Sequence, residues 1–235
     1  MKNSLAIIPA RSGSQSIKNK NIKEFCGKPL IYWTIKIALE SNFSRVIVST
    51  DSSEIAEIAT SFGAEVPFLR SKELSGSEVA IEPVLADVVK KLKATEDYDI
   101  NCLGLLLPTS PFRKLEDLNK SLELFFNNEW TSIVSVSNAS AGHNPFWMLR
   151  DDINNKVTMF NGDELSNLPS RRQDLPAFYI KNDFIFSINP NNLFEEKPNL
   201  YGPEPKLMLV SDDRLDIDIN TPKDWKTAEK LFKYR

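Results

Sequence analysis

Apolar residues follow two rhythms along this chain. Leu5 to Pro9 is a short apolar run closed by a proline, and Arg45 to Thr50 carries Val46, Ile47 and Val48 before Asp51. Short runs rich in β-branched residues predict strands buried on both faces. Between them, Leu30, Ile31, Trp33, Thr34, Ile37 and Ala38 recur at helical spacing from Pro29 to Glu40, with the proline in the first turn, where a helix tolerates it. This is a βαβ unit. The alternation continues with a helix from Ser52 or Ser53 to Phe62 closed by Gly63, a helix near Glu78 to Lys93 and a strand from Cys102 to Leu107. A helix near Leu115 to Asn127 and a strand from Thr131 to Val136 follow. Strands interleaved with helices predict an α/β fold, a mostly parallel sheet covered on both faces.

After Val136 the rhythm changes. Residues 138–199 hold many Asn, Pro and Asp residues, with short alternating runs only at Lys156 to Phe160 and Phe184 to Ile188, and read as an insertion of short strands and loops. The chain then recovers a strand near Leu207 to Val210 and a last helix from about Pro222 to Phe232, with Thr221 as its N-cap. With 235 residues, 41% of them hydrophobic, the chain can bury the core of one main domain.

Composition narrows the chemistry. A net charge of −3 with basic residues spread along the chain offers no footprint for nucleic acid or a membrane surface. No apolar run approaches the length of a membrane span, and the first strand begins too early for a signal segment, so a cytoplasmic protein is expected. Cys26 and Cys102 fit a reducing compartment better than a disulfide framework. His143 is the only histidine, which excludes a zinc site of several His and Cys ligands and would force any Ser-His-Asp triad through that residue. The chemistry therefore rests on carboxylates, basic side chains and backbone.

Three segments carry such groups. Residues 9–21, PARSGSQSIKNKN, leave the first strand at its carboxyl end, the edge where open α/β sheets bind ligands. Small residues there let backbone N–H groups approach anionic oxygens, Arg11 offers a planar fork, and Lys18 and Lys20 add point charges. The loop reads equally as a phosphate cradle or as a solvated basic loop. It is neither a Walker loop nor a dinucleotide fingerprint, since GxxxxGK[ST] and GxGxxG are both absent. Residues 216–220, DIDIN, alternate so that a strand would turn Asp216, Asp218 and Asn220 to one face, suiting Mg²⁺ or merely a solvent-facing edge. Residues 107–113, LPTSPFR, form another loop at the same sheet edge, by itself an ordinary turn capped by Ser110. Asp51, at the carboxyl end of a strand, is expected either to cap the helix that follows it, the favoured reading, or to approach the site.

Taken in order, IIPARSGSQSIKNKNIKEFCGKPLI, VIVSTDSSEIAEIA, GAEVPFLR, LLPTSPFR, SRRQDLP and LDIDINTPKDWKTAE resemble the acylneuraminate cytidylyltransferases, which make CMP-sialic, CMP-legionaminic and CMP-pseudaminic acids. The resemblance implies a three-layer, Rossmann-like nucleotidyltransferase sheet in one domain, with residues 138–199 as a small sugar-site and dimerisation arm, and a homodimer. It implies that Arg11, Ser12, Gly13, Ser14 and Lys20 hold the triphosphate of CTP, Asn21 the ribose and Arg70 the cytosine. Arg11, Lys20 and Asp218 are its expected catalytic residues. It places Thr109, Ser110, Arg172, Gln173 and Asn182 near a nine-carbon sugar acid. Mg²⁺ would sit on Asp216 and Asp218, or on Asp218 and Asn220 in the other register. Three departures stand out: Gln15 where the family usually has Lys, Leu107 for Gln, and Asp183 for Gly.

Overall fold

The computed structural model describes residues 2–151, 156–210 and 217–233. Strand β1 (Ser4–Pro9) leads through the two-residue strands β2 (Glu24–Phe25) and β3 (Lys28–Pro29) into helix α1 (Leu30–Glu40) and strand β4 (Arg45–Ser49). Cys26 and Gly27 join β2 to β3 with φ of 52° and 84°, the two consecutive positive values of a tight hairpin turn. Helices α2 (Ser53–Ser61) and α3 (Ile81–Glu96), strand β5 (Cys102–Leu105), helix α4 (Leu115–Phe126) and strand β6 (Ser132–Asn138) follow. The arm contributes β7 (Leu149–Asp151), β8 (Val157–Met159) and β9 (Tyr179–Ile188), before β10 (Pro205–Leu209) and α5 (Pro222–Phe232).

Six strands form one sheet in the order β10-β6-β9-β5-β1-β4. Pairing is parallel except along β9, which runs antiparallel to both β5 and β6. The expectation of a mostly parallel sheet holds, but residues 138–199 do more than add loops, because they supply a ten-residue strand to the middle of the sheet. Its run Phe184 to Ile188 is buried throughout, as a strand covered on both faces must be.

Alternation along β1 divides the core. Ala6 and Ile8 pack with α1, α2, α4 and α5 on one face. Leu5 and Ile7 pack with Leu85, Val88 and Leu92 of α3 on the other. The result is three layers. Strands β1, β4 and β5 end at one edge, so the loops after Pro9, Ser49 and Leu105 converge there, and antiparallel β9 enters the sheet beside them.

Candidate nucleotide and metal site

The loop after β1 is held by its neighbours. Ala10 donates its amide to the Ser49 carbonyl at 2.9 Å. The buried Asn21 side chain donates to the Arg11 carbonyl at 3.0 Å, and Asn19 takes a left-handed φ of 54° to turn the chain. Ser12 donates its amide to Asp51 Oδ1 at 2.8 Å and its hydroxyl to Asp51 Oδ2 at 2.7 Å. Asp51 therefore does not cap α2. Ser52 does, accepting from the Ile55 amide at 3.3 Å, because Asp51 is already turned back onto the loop.

Above the carboxyl edge lies a cavity of about 600 Å³, lined by Arg11, Ser14, Lys20, Asn21, Arg70, Thr109 and Asp218 among others. Arg70 is only 7% exposed, with its amide pinned to the Thr50 carbonyl at 2.7 Å. Its Nε and Nη2 are buried without a hydrogen-bond partner. A buried guanidinium with unmatched donors is costly, and acceptors on a ligand would relieve it. Burial, more than any neighbour, lowers the Arg70 pKa; Asp51 works against that shift and Arg11 adds to it. Lys20 is lowered in the same way, by burial and by Arg11 against Asp218. Three cations crowd one cavity, an arrangement that favours a highly charged anion.

Lys20 reaches across the cavity, donating to the Ile219 carbonyl at 3.0 Å and lying 3.5 Å from Asn220 Oδ1. It thus ties the first loop to the segment before α5. That segment is ordered by a capping box, in which Asp224 Oδ2 accepts from the Asn220 amide at 3.1 Å and the Thr221 amide at 2.7 Å. Asp218 Oδ2 accepts from Asn220 Nδ2, while Oδ1 is buried with no partner. A buried carboxylate oxygen lacking a donor suits a hard cation. Asp216 lies outside the described residues, and among those described no cluster of three or more His, Cys, Asp or Glu side chains could hold a metal.

Other expected residues are placed differently. Ser12 and Gly13 do not line the cavity, and both Ser12 donors face Asp51. Ser110 is buried with its hydroxyl on the Asp183 carbonyl at 3.3 Å. Asn182 is buried between Ser135 and Ser137, donating to Ser137 Oγ at 2.8 Å, so it braces β6 against β9. Arg172 lines a separate hollow of about 210 Å³ with Asn144 and Phe178, and Gln173 borders neither space. Neighbouring Arg171 forms a two-point ion pair with Asp174, at 2.7 and 2.9 Å.

Arg113 stands in the sequence only as the last residue of LPTSPFR, yet it organises this edge. It is 1% exposed and donates to the carbonyls of Leu107 and Ser110, both at 2.8 Å, to the Asp183 carbonyl at 3.2 Å, and to the Phe184 carbonyl. Burial pushes its pKa down to about 9, against the pull of Asp218 and Asp183. The Leu107 carbonyl is thereby bonded within the loop, to Arg113 and to the Ser110 amide at 3.4 Å. The far wall, Leu74, Gly76, Ser77, Val79, Ile81 and Val84, was not anticipated either; its only sequence signal is the run of small residues from Ser75 to Ser77 before α3.

A cytidylyltransferase family model matches residues 5–214. A CMP-N,N'-diacetyllegionaminic acid synthase of Legionella pneumophila is 34% identical over 235 residues, spanning 97% of this chain and 95% of its own. A pseudaminic acid cytidylyltransferase of Campylobacter jejuni is 33% identical over 235 residues, spanning 99% and 97%. An N-acylneuraminate cytidylyltransferase of Streptococcus agalactiae is 30% identical over 217 residues, covering 91% of this chain and 50% of that one. Among solved structures, a CMP:2-keto-3-deoxy-manno-octonic acid synthetase complexed with CTP superposes with a TM-score of 0.73 at 16% identity, covering 99% of both chains. That likeness shows the same fold.

Proposed function

The chain belongs to the cytidylyltransferase family, and on that premise we propose that it transfers CMP from CTP to the anomeric hydroxyl of a nine-carbon 2-keto sugar acid of the sialic, legionaminic or pseudaminic type, releasing pyrophosphate. The observation that carries this reading is the buried Arg70 guanidinium, which keeps two unmatched donors and lines the same cavity that Arg11 and Lys20 charge positively. Cytosine presents two adjacent acceptors, O2 and N3, that a guanidinium can meet. Relatives named for CMP-legionaminic and pseudaminic acid chemistry span nearly the whole chain, which supports the acceptor class.

In this reading Arg70 orients the base, Asn21 stands at the ribose, and Ser14, Arg11 and Lys20 meet the phosphates. The sugar hydroxyl gives up its proton to solvent as its oxygen attacks the α-phosphorus, the bond to the bridging oxygen breaks, and pyrophosphate leaves while Arg11 and Lys20 stabilise its charge. Positioning supplies much of the acceleration. Asp218 would hold Mg²⁺, with Asp216 as the second carboxylate; the unpartnered Asp218 Oδ1 fits that role, and Asn220 steadies the other oxygen. When bound, the ion would neutralise phosphate charge and order the triphosphate. The sugar would lie by Thr109, with Arg172 and Gln173 reaching it only from another subunit's arm.

The arm supports a homodimer. A ribbon as small as β7–β8 is not stable by itself in water, and it exposes Leu149 and Val157 at 57% and 45%, beside Met148 at 43%. Packing against a second copy would cover them. We place the reaction in the cytoplasm, where CTP is supplied and where two free cysteines are at home; among the described residues no helix is long and apolar enough to cross a membrane. Pyrophosphate release from CTP, ATP, GTP and UTP, each paired with sialic, legionaminic and pseudaminic acids and with an eight-carbon 2-keto acid, tests the activity. Turnover is expected only with CTP and a nine-carbon acid. Release with no such pair, or equal release with UTP, would contradict it.

A further inference from the structure

Asp51 is not part of the cavity wall, yet it is bound to the loop that is. Both carboxylate oxygens are committed to Ser12, one to the amide at 2.8 Å and one to the hydroxyl at 2.7 Å, across 39 residues of sequence. Ser12 lies between Arg11 and Ser14, whose side chains do line the cavity, and its carbonyl accepts from the Ser14 amide at 3.0 Å. With Asn21 holding the Arg11 carbonyl, the loop is fixed at two successive residues. We propose that Asp51 is a positioning residue for the triphosphate: by clamping Ser12 it presents Arg11 and Ser14 to the phosphates in a geometry set before nucleotide binds. The proposal rests on reading the cavity as a CTP site.

Two effects oppose each other here. A carboxylate near a bound triphosphate repels it, so removing Asp51 would tighten CTP if charge alone mattered. Fixing the loop acts the other way, because an ordered cradle needs no reorganisation on binding. The geometry favours fixing, since both oxygens face the loop and Arg70 lies close enough to offset the charge. Burial works to raise the Asp51 pKa, but the Ser12 hydroxyl and amide outweigh it and hold the group below its ordinary value, ionised at neutral pH. The base end keeps an anchor of its own, the Arg70 amide on the Thr50 carbonyl, and Asp51 acts on Arg70 through charge alone, with no hydrogen bond to it. Loss of the Asp51 side chain should therefore loosen the phosphate end far more than the base end.

Calorimetric binding of CTP, CDP and CMP to the full chain tests this. Asp51→Ala is expected to weaken CTP roughly tenfold or more while leaving CMP within about twofold of the unsubstituted protein. Asp51→Asn, which keeps an acceptor for the Ser12 amide, should fall between. Adding Ser12→Ala to Asp51→Ala should cost little more, since the pair is already broken. Equal weakening of CTP and CMP, or tighter CTP binding, overturns the proposal; if Asp51→Ala does not fold, the near-isosteric Asp51→Asn decides by the same CTP-to-CMP ratio. If the unsubstituted protein binds none of the three nucleotides, the reading of the cavity fails first, and the positioning role with it.

Discussion

At the residue scale, Arg70 sets function against stability. Its unmatched donors are an expense in the free protein and an asset once a base is bound. Arg70→Met should therefore melt no lower than the unsubstituted chain while raising KM for CTP. Charge-assisted hydrogen bonds are worth about 1.5–3 kcal/mol each, or roughly ten- to hundredfold in KM. Calorimetry with steady-state kinetics checks both halves, and a lower melting temperature with unchanged KM would contradict them. Asp218→Asn removes the charge behind the unpartnered Oδ1. It should lower kcat by about 10²–10³ and weaken Mn²⁺ binding measured by spin resonance on the protein without nucleotide. Unchanged Mn²⁺ affinity would move the metal elsewhere. The residue scale also shows what sequence alone cannot settle. Arg70 and Asp218 were legible as motif residues, but whether Asp51 caps a helix or clamps a loop depends on Ser12, which folding brings to it from 39 residues away.

At the scale of elements, α5 begins with a capping box that also orders the residues around Asp218. Burial tends to raise the Asp224 pKa, but the Thr221 hydroxyl and the Thr221 and Asn220 amides bring it below its ordinary value. A depressed carboxylate contributes stability that is present above its unfolded pKa of about 3.9 and is lost as pH falls through the lower folded value. Thr221→Ala should cost about 0.5–2 kcal/mol near neutral pH by urea unfolding, with activity reduced through the adjoining segment. Gly104 in β5 makes a second element-scale case. A side-chain carbon there would run into the buried Phe43 ring, so Gly104→Ala should destabilise by about 1–3 kcal/mol, also read by urea unfolding. Helix periodicity was legible enough that α5 begins and ends where the sequence places it. Strand β9 was only half legible. Phe184 to Ile188 alternates visibly, but Tyr179 to Asn182 extends the strand through exposed and polar positions, and its place between β5 and β6 comes from pairing that no local pattern encodes.

At the scale of the molecule, sheet direction explains where the site is. Three strands ending at one edge bring residues 11–21, 51, 70, 107–113 and 183 together, and the segment before α5 closes the cavity beside Lys20. The first loop and the described part of the DIDIN segment, residues 217–220, were legible because their chemistry is written in residue type. The wall from Leu74 to Val84 was not, because it contributes shape rather than charge. The arm carries the proposed dimer contact, and its Arg172 lines a hollow distinct from the main cavity. Leu149→Asp combined with Val157→Asp should turn a dimer into a monomer in sedimentation at micromolar concentration and reduce turnover with it. A monomeric unsubstituted chain would remove that part of the account.

The central claim is CMP transfer to a sugar acid in a site built around Arg70, Lys20 and Asp218. Its most direct test is phosphorus NMR of CTP and Mg²⁺ incubated with legionaminic, pseudaminic or sialic acid and the protein. The account predicts that the triphosphate resonances give way to pyrophosphate and one new phosphodiester, the CMP-sugar, with at least one acid. Intact CTP with all three, or CMP and phosphate without a phosphodiester, would contradict it.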